Sequence, residues 1–159
     1  MARALILSYH CIAKPLDNAL TPNNFVTPGM FGFQMWFLRK AGFTVISIKD
    51  MVKYTLGQLD VKMPVSLTFD DGYQDFYDNA YPVLRKYAYP STVFVVSSLV
   101  GKENTWGGTK KLPVLKLMDW ETLARVSEGG VDIGSHTRTH PSCSAIDAVR
   151  LWDEIAGSK

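Results

Sequence analysis

Two short stretches of this chain bring together residue types that can do chemistry. Leu67-Thr68-Phe69-Asp70-Asp71-Gly72 sets adjacent carboxylates behind an apolar run, and Gly134-Ser135-His136-Thr137-Arg138-Thr139-His140-Pro141 carries a His-x-x-x-His pair. Neighbouring carboxylates can divide two tasks: one holds a cation while the other, near that cation but not bound to it, takes a proton from water. The histidine spacing lets two imidazoles converge on one ion, and neutral imidazole is a favoured zinc ligand. Each stretch also has a plainer reading, since Asp-Asp-Gly is a common turn signature and two nearby histidines can simply cap and solvate a loop. Taken together they supply a His, His, Asp ligand set and a spare carboxylate. That is the outline of a catalytic metal site with a position left for water.

The elements that must position these groups follow from periodicity. Pro64-Val65-Ser66-Leu67-Thr68-Phe69 alternates apolar and small polar residues as a buried strand does, and Gly72 permits the turn that ends it. Val131-Asp132-Ile133 is a second apolar strand, placed just before the histidines. Apolar runs predict strands over 4–9, 43–48, 65–69, 92–96 and 131–133. Between them, helices are expected over 31–40, whose aromatics read as core, over 50–56, and through Tyr77, Ala80, Tyr81, Leu84 and Tyr87 with a kink or restart at Pro82. Asp119 should cap a helix that ends at Gly129-Gly130, and a last helix over 145–155 should bury Leu151, Trp152 and Ile155. Repeated strand-then-helix units predict an α/β fold with a parallel sheet, and both chemical stretches fall just after strand carboxyl ends, where such folds place their sites.

At these residues the chain resembles the polysaccharide deacetylases, the NodB-homology or carbohydrate esterase family 4 domains. Thr68-Phe69-Asp70-Asp71-Gly72 is similar to that family's T-F-D-D-G motif, and His136 to His140 to its H-[ST]-x-x-H motif. Ser8-Tyr9-His10-Cys11-Ile12 looks like the Y-H-x-I opening of one subgroup, and Tyr89-Pro90-Ser91-Thr92-Val93-Phe94-Val95 like the strand after the first motif. The resemblance implies a distorted (β/α) barrel, of which about five units are legible here. It also implies that Asp71, His136 and His140 hold a divalent metal, most plausibly zinc, that Asp70 is the general base, and that the substrate is an N-acetylated glycan. His10, at the end of the first strand, should face the same cavity in a supporting role, and Trp106 in the long 97–117 connection can stack on a sugar face or fold back over the protein. The family's later motifs, including the histidine that serves as general acid, have no counterpart in these 159 residues. The expectation is therefore one domain over 1–159, incomplete at its carboxyl end, that deacetylates weakly alone and self-associates through an unpaired sheet edge.

Composition agrees with this reading and excludes others. A hydrophobic content of 47% supports one globular core, and a net charge of +2 without a basic run argues against nucleic acid. No apolar stretch approaches the length of a membrane span, and the first residues read as a strand, not a signal peptide, so a cytoplasmic location is expected or none is assigned. Cys11 and Cys143 are too few for a disulfide framework and read as two free thiols near the site. A glycosidase pair would need carboxylates roughly 5 to 9 Å apart, which adjacent residues rarely reach. A serine hydrolase is disfavoured because Ser135 lacks the Gly-x-Ser-x-Gly elbow. The alternative from another class is a metal- and carbohydrate-binding module without turnover.

Overall fold

The computed structural model describes residues 4–15, 24–106 and 113–159, so the loop expected at 14–28 and the connection at 97–117 lie partly outside the described residues. Five strands alternate with five α-helices: Leu5–Tyr9 (β1), Pro28–Lys40 (α1), Thr44–Val45 (β2), Ile48–Thr55 (α2), Pro64–Phe69 (β3), Tyr81–Tyr87 (α3), Ser91–Val95 (β4), Trp120–Glu128 (α4), Val131–Ser135 (β5) and Ala148–Ala156 (α5). The sheet runs β1-β3-β4-β5, with β2 joined to the start of β3, and every pairing is parallel. This is the α/β architecture that the alternation of runs predicts.

Capping side chains move several boundaries away from where apolar periodicity puts them. Thr27 accepts a hydrogen bond from the Met30 amide and Pro28 supplies a ready-made first-turn φ, so α1 starts before residue 31. Ser47 accepts from the Asp50 amide, which opens α2 at Ile48 and cuts the 43–48 strand to Thr44–Val45. Asp147 does the same for Arg150, so α5 begins at Ala148 after a 3₁₀ turn over Cys143–Ala145, not at 145. Asp119 caps α4 as expected. At Pro82 the chain passes from a π-helical turn, Phe76–Ala80, into the first turn of α3, where a missing N–H is tolerated.

The core is built under the site. Tyr9 and Phe69, the last residues of β1 and β3, stack at 5.2 Å between ring centres, and Phe31 and Phe76 meet Phe69 edge-on at 5.8 and 4.7 Å. Two expected buried faces are not buried. Of the aromatics in 31–40 only Phe31 is in the core, while Phe33, Trp36 and Phe37 are exposed beside Leu5 and Ile6 of β1. The physical reason is that β1 ends the sheet path, so among the described residues no strand lies beyond it to cover these side chains. At the other end, beyond β5, α5 leaves Trp152 and Ile155 74% and 47% exposed and buries Glu154 to 3% in their place. Cys11 is buried, Cys143 is exposed, and both are free thiols. Among the described residues no helix is long and apolar enough to cross a membrane.

Candidate metal centre

The turn after β3 separates the two carboxylates. The Asp70 amide still donates to the Tyr9 carbonyl at 2.8 Å, continuing the β1–β3 ladder, and its side chain accepts from Ser8 Oγ at 2.9 Å. His10 Nε2 lies 4.0 Å from the same carboxylate. Asp71 then adopts a left-handed φ of 73°, uncommon for a residue other than glycine, and Gly72 follows at 77°. A Cβ on Gly72 would also come within 3.1 Å of Val95 Cγ1, so this turn needs glycine twice over. The reversal carries Asp71 away from Asp70 and into the protein, where it is 4% exposed.

The histidines reach the same point from β5. The His136 amide donates to the Val95 carbonyl at 2.9 Å, which anchors the loop to β4. Thr137 and His140 both have left-handed φ, 65° and 61°, and Thr137 Oγ1 accepts from the His140 amide, folding the loop back so that both rings point at Asp71. The His136 and His140 Nε2 atoms lie 3.4 and 3.3 Å from Asp71 Oδ1. That oxygen is fully buried and has no hydrogen-bond partner. Burial pulls the Asp71 carboxyl upward, but the two imidazoles outweigh it and hold the group well below the usual carboxylate range. In return, Asp71 raises His136 against the opposing effect of burial.

These residues fit a divalent cation. Ligand atoms at the corners of a tetrahedron with bonds near 2.05 Å stand about 3.3–3.4 Å apart, the spacing of each imidazole nitrogen from Asp71 Oδ1. All three donor atoms lie within 4.8 Å of one another, and an ion is the partner that the orphaned oxygen lacks.

A cavity of about 220 Å³ opens beside these donors, lined by His10, Cys11, Asp71, Tyr73, Trp106 and His140 among others. His10 is thus one of the residues lining this cavity. Trp106 stacks one face on His140, at 4.6 Å between ring centres, and sits 6.1 Å from the Tyr73 ring. Burial, followed by the Asp71 charge, pushes the Tyr73 phenol up. Asn104 was not legible as a site residue. Its carbonyl oxygen accepts from the Leu115 amide and its NH₂ donates to the Pro113 carbonyl, holding the cavity wall, and no local pattern marks such a role.

Below His10 the chain is pinned at Ile12, whose amide donates to Asp75 and whose carbonyl accepts from Asn79. Burial pushes the Asp75 carboxyl up to about 6; the Ile12 N–H opposes this and the Asp78 charge adds to it. Cys11 and Tyr73 also lie in this region and are held neutral by burial first and the nearby carboxylates second. Because the folded-state value exceeds the ordinary 3.8, Asp75 favours folding most below about pH 4 and progressively less as pH rises to about 6. Asp75→Asn, which keeps an acceptor for Ile12, should therefore stabilise metal-free protein at pH 8 by about 2–3 kcal/mol. Melting curves of parent and variant should diverge between pH 4 and 6, and parallel curves would overturn this.

Residues 60–159 match the family model described as polysaccharide deacetylase, and the chain belongs to that family, the NodB-homology or carbohydrate esterase family 4 domains. It is 32% identical over 145 residues to the poly-beta-1,6-N-acetyl-D-glucosamine N-deacetylase of Staphylococcus epidermidis (strain RP62A), covering 84% of this chain and 48% of that protein. Among solved structures, the Streptococcus pyogenes deacetylase PplD in complex with acetate superposes with a TM-score of 0.80 at 25% identity, covering 99% of this chain and 66% of PplD. IcaB from Ammonifex degensii superposes at 0.76 with 23% identity, covering 98% of this chain and 66% of IcaB, a likeness of fold. The five described strands are part of a (β/α) barrel. The chain spans about half the length of the curated relatives it matches.

Proposed function

We propose that this chain hydrolyses N-acetyl groups on an N-acetylglucosamine-containing polysaccharide, with Asp71, His136 and His140 holding a divalent metal, zinc by preference, and Asp70 serving as general base. The observation that carries this reading is the buried, unpartnered Asp71 Oδ1 facing two imidazole nitrogens at 3.3 and 3.4 Å. When bound, the metal supplies Lewis acidity toward the amide carbonyl and the attacking water.

The protein's own groups do the rest. Asp70 stands next to the ligand set without belonging to it, so its carboxylate is free to accept the proton that water loses on attacking the carbonyl carbon. Ser8 Oγ donates to Asp70 Oδ2 and leaves the other oxygen for that proton, while His10 Nε2 stands 4.0 Å from Oδ2. Water adds to the acetyl carbon, the C–N bond breaks as the departing nitrogen takes up a proton from solvent, and acetate and the free sugar amine leave. The Trp106 ring, braced on His140, offers its remaining surface to a sugar at the cavity mouth.

The exposed apolar faces along β1 and beyond β5 lead us to propose also that this chain self-associates. Acetate release from acetylated β-1,6-linked glucosamine oligomers, run beside sedimentation of the same sample, tests both statements. Metal-dependent release by an associated species is expected. Absence of release on every N-acetylated glycan despite bound metal would overturn the function, and a strictly monomeric sample would overturn the second statement.

A further inference from the structure

We infer that Glu154 of α5 is a positioning residue for the two histidines, holding the backbone between them in the conformation that aims both rings at Asp71. This inference rests on the metal-centre reading above. Asp71 and Glu154 are the two buried charged residues among those described, and Asp71 meets the rings of the His136–His140 loop while Glu154 meets its backbone. Asp71 keeps an orphaned oxygen toward the rings, whereas Glu154 is saturated by the loop backbone. Glu154 Oε2 accepts from the Arg138 amide at 2.9 Å and the Thr139 amide at 2.7 Å, and Thr139 Oγ1 donates to Oε1.

Those donors exist because of the loop's shape. Left-handed φ values at Thr137 and His140 break the regular ladder here: the Thr137 and Arg138 carbonyls still accept from the Ser97 and Ser98 amides, while the Arg138 and Thr139 N–H groups are left to Glu154. A single carboxylate that collects both N–H groups and the hydroxyl holds this otherwise unfavourable backbone through charge-assisted bonds. Neighbouring contacts act in the same direction. Arg138 pairs with Asp153 at 2.7 Å, Ser135 Oγ meets Ser158 Oγ at 2.5 Å, and the backbone at Gly157 approaches so closely that a Cβ there would lie 3.4 Å from Arg138 Cδ. This explains why α5 buries an acid while leaving Trp152 exposed.

The test is zinc affinity of metal-stripped protein, measured by competition with a chromophoric chelator, together with amide exchange at Arg138 and Thr139. Glu154→Ala should weaken zinc binding about 10- to 100-fold, the size typical of lost support behind a ligand, and speed exchange at both amides. Glu154→Gln should bind nearly as the parent does, because its carbonyl can accept both N–H groups and its NH₂ can donate to Thr139 Oγ1. Leu123→Ala, a core truncation on α4, serves as control: it should lower the melting temperature and leave zinc affinity unchanged. If Glu154→Ala does not fold, Thr139→Val, which deletes one donor, should still weaken zinc binding measurably. Parent-like affinity in Glu154→Ala, or in Thr139→Val where that variant must stand in, overturns the positioning role. A parent chain that binds no zinc overturns instead the metal-centre reading on which it stands.

Discussion

Replacing His136 or His140 with alanine is expected to lower zinc affinity by more than about 100-fold, since each change removes one of the three protein ligands proposed above. The effect should exceed that of any change behind the ligands. It should also be equal at the two positions within a few fold, because both Nε2 atoms lie at nearly the same distance from Asp71 Oδ1. His10→Ala offers the contrast. That imidazole lines the same cavity but stands beside Asp70, so metal content should remain near that of the parent. Elemental analysis of protein dialysed against trace zinc decides the matter. Full metal content in His136→Ala and His140→Ala would sink the assignment of both.

Asp70→Asn should separate binding from turnover. The amide can still accept from Ser8 Oγ, so the fold and the metal should survive, but it cannot take a proton from water. Loss of a positioned general base lowers turnover about 100- to 10,000-fold. The readout is acetate release and metal content on the same preparation. Asp71→Asn should do the reverse and lose metal first, because its oxygen is the one buried against both histidines. Were Asp70→Asn to lose the metal and Asp71→Asn to keep it, the two aspartate roles would have to be exchanged.

How much of this was legible beforehand depends on how local the cause is. The strand into Asp70, the helix cap at Asp119, the restart at Pro82 and the residue types of the carboxylate and histidine motifs each lie in a short stretch, and short stretches carry their own pattern. The α/β class follows for the same reason, since alternation of apolar runs is a local property summed along the chain. Helix starts were misplaced at α1, α2 and α5 because side-chain caps at Thr27, Ser47 and Asp147 outweigh apolar periodicity at a helix's first turn.

The convergence of the site is a different matter. The residue types around Asp70 and Asp71 leave open which of them meets the imidazoles contributed from after β5, and only the family resemblance points to Asp71; in the fold, the left-handed backbone at Asp71 and the β3-β4-β5 order bring it there together. Likewise the stripe of Leu151, Trp152 and Ile155 promised an apolar face on α5, yet Glu154 is the residue that goes inside. Periodicity reports the average hydrophobicity of a helix face. It cannot register unbonded N–H groups on a loop that another part of the chain has forced into left-handed turns. By itself the sequence determined which groups could bind a metal and move a proton, because those are properties of the side chains. Only the tertiary structure decided which oxygen is buried without a partner and which acid holds the histidine loop, because both depend on backbone groups that the folded chain alone brings within hydrogen-bonding distance.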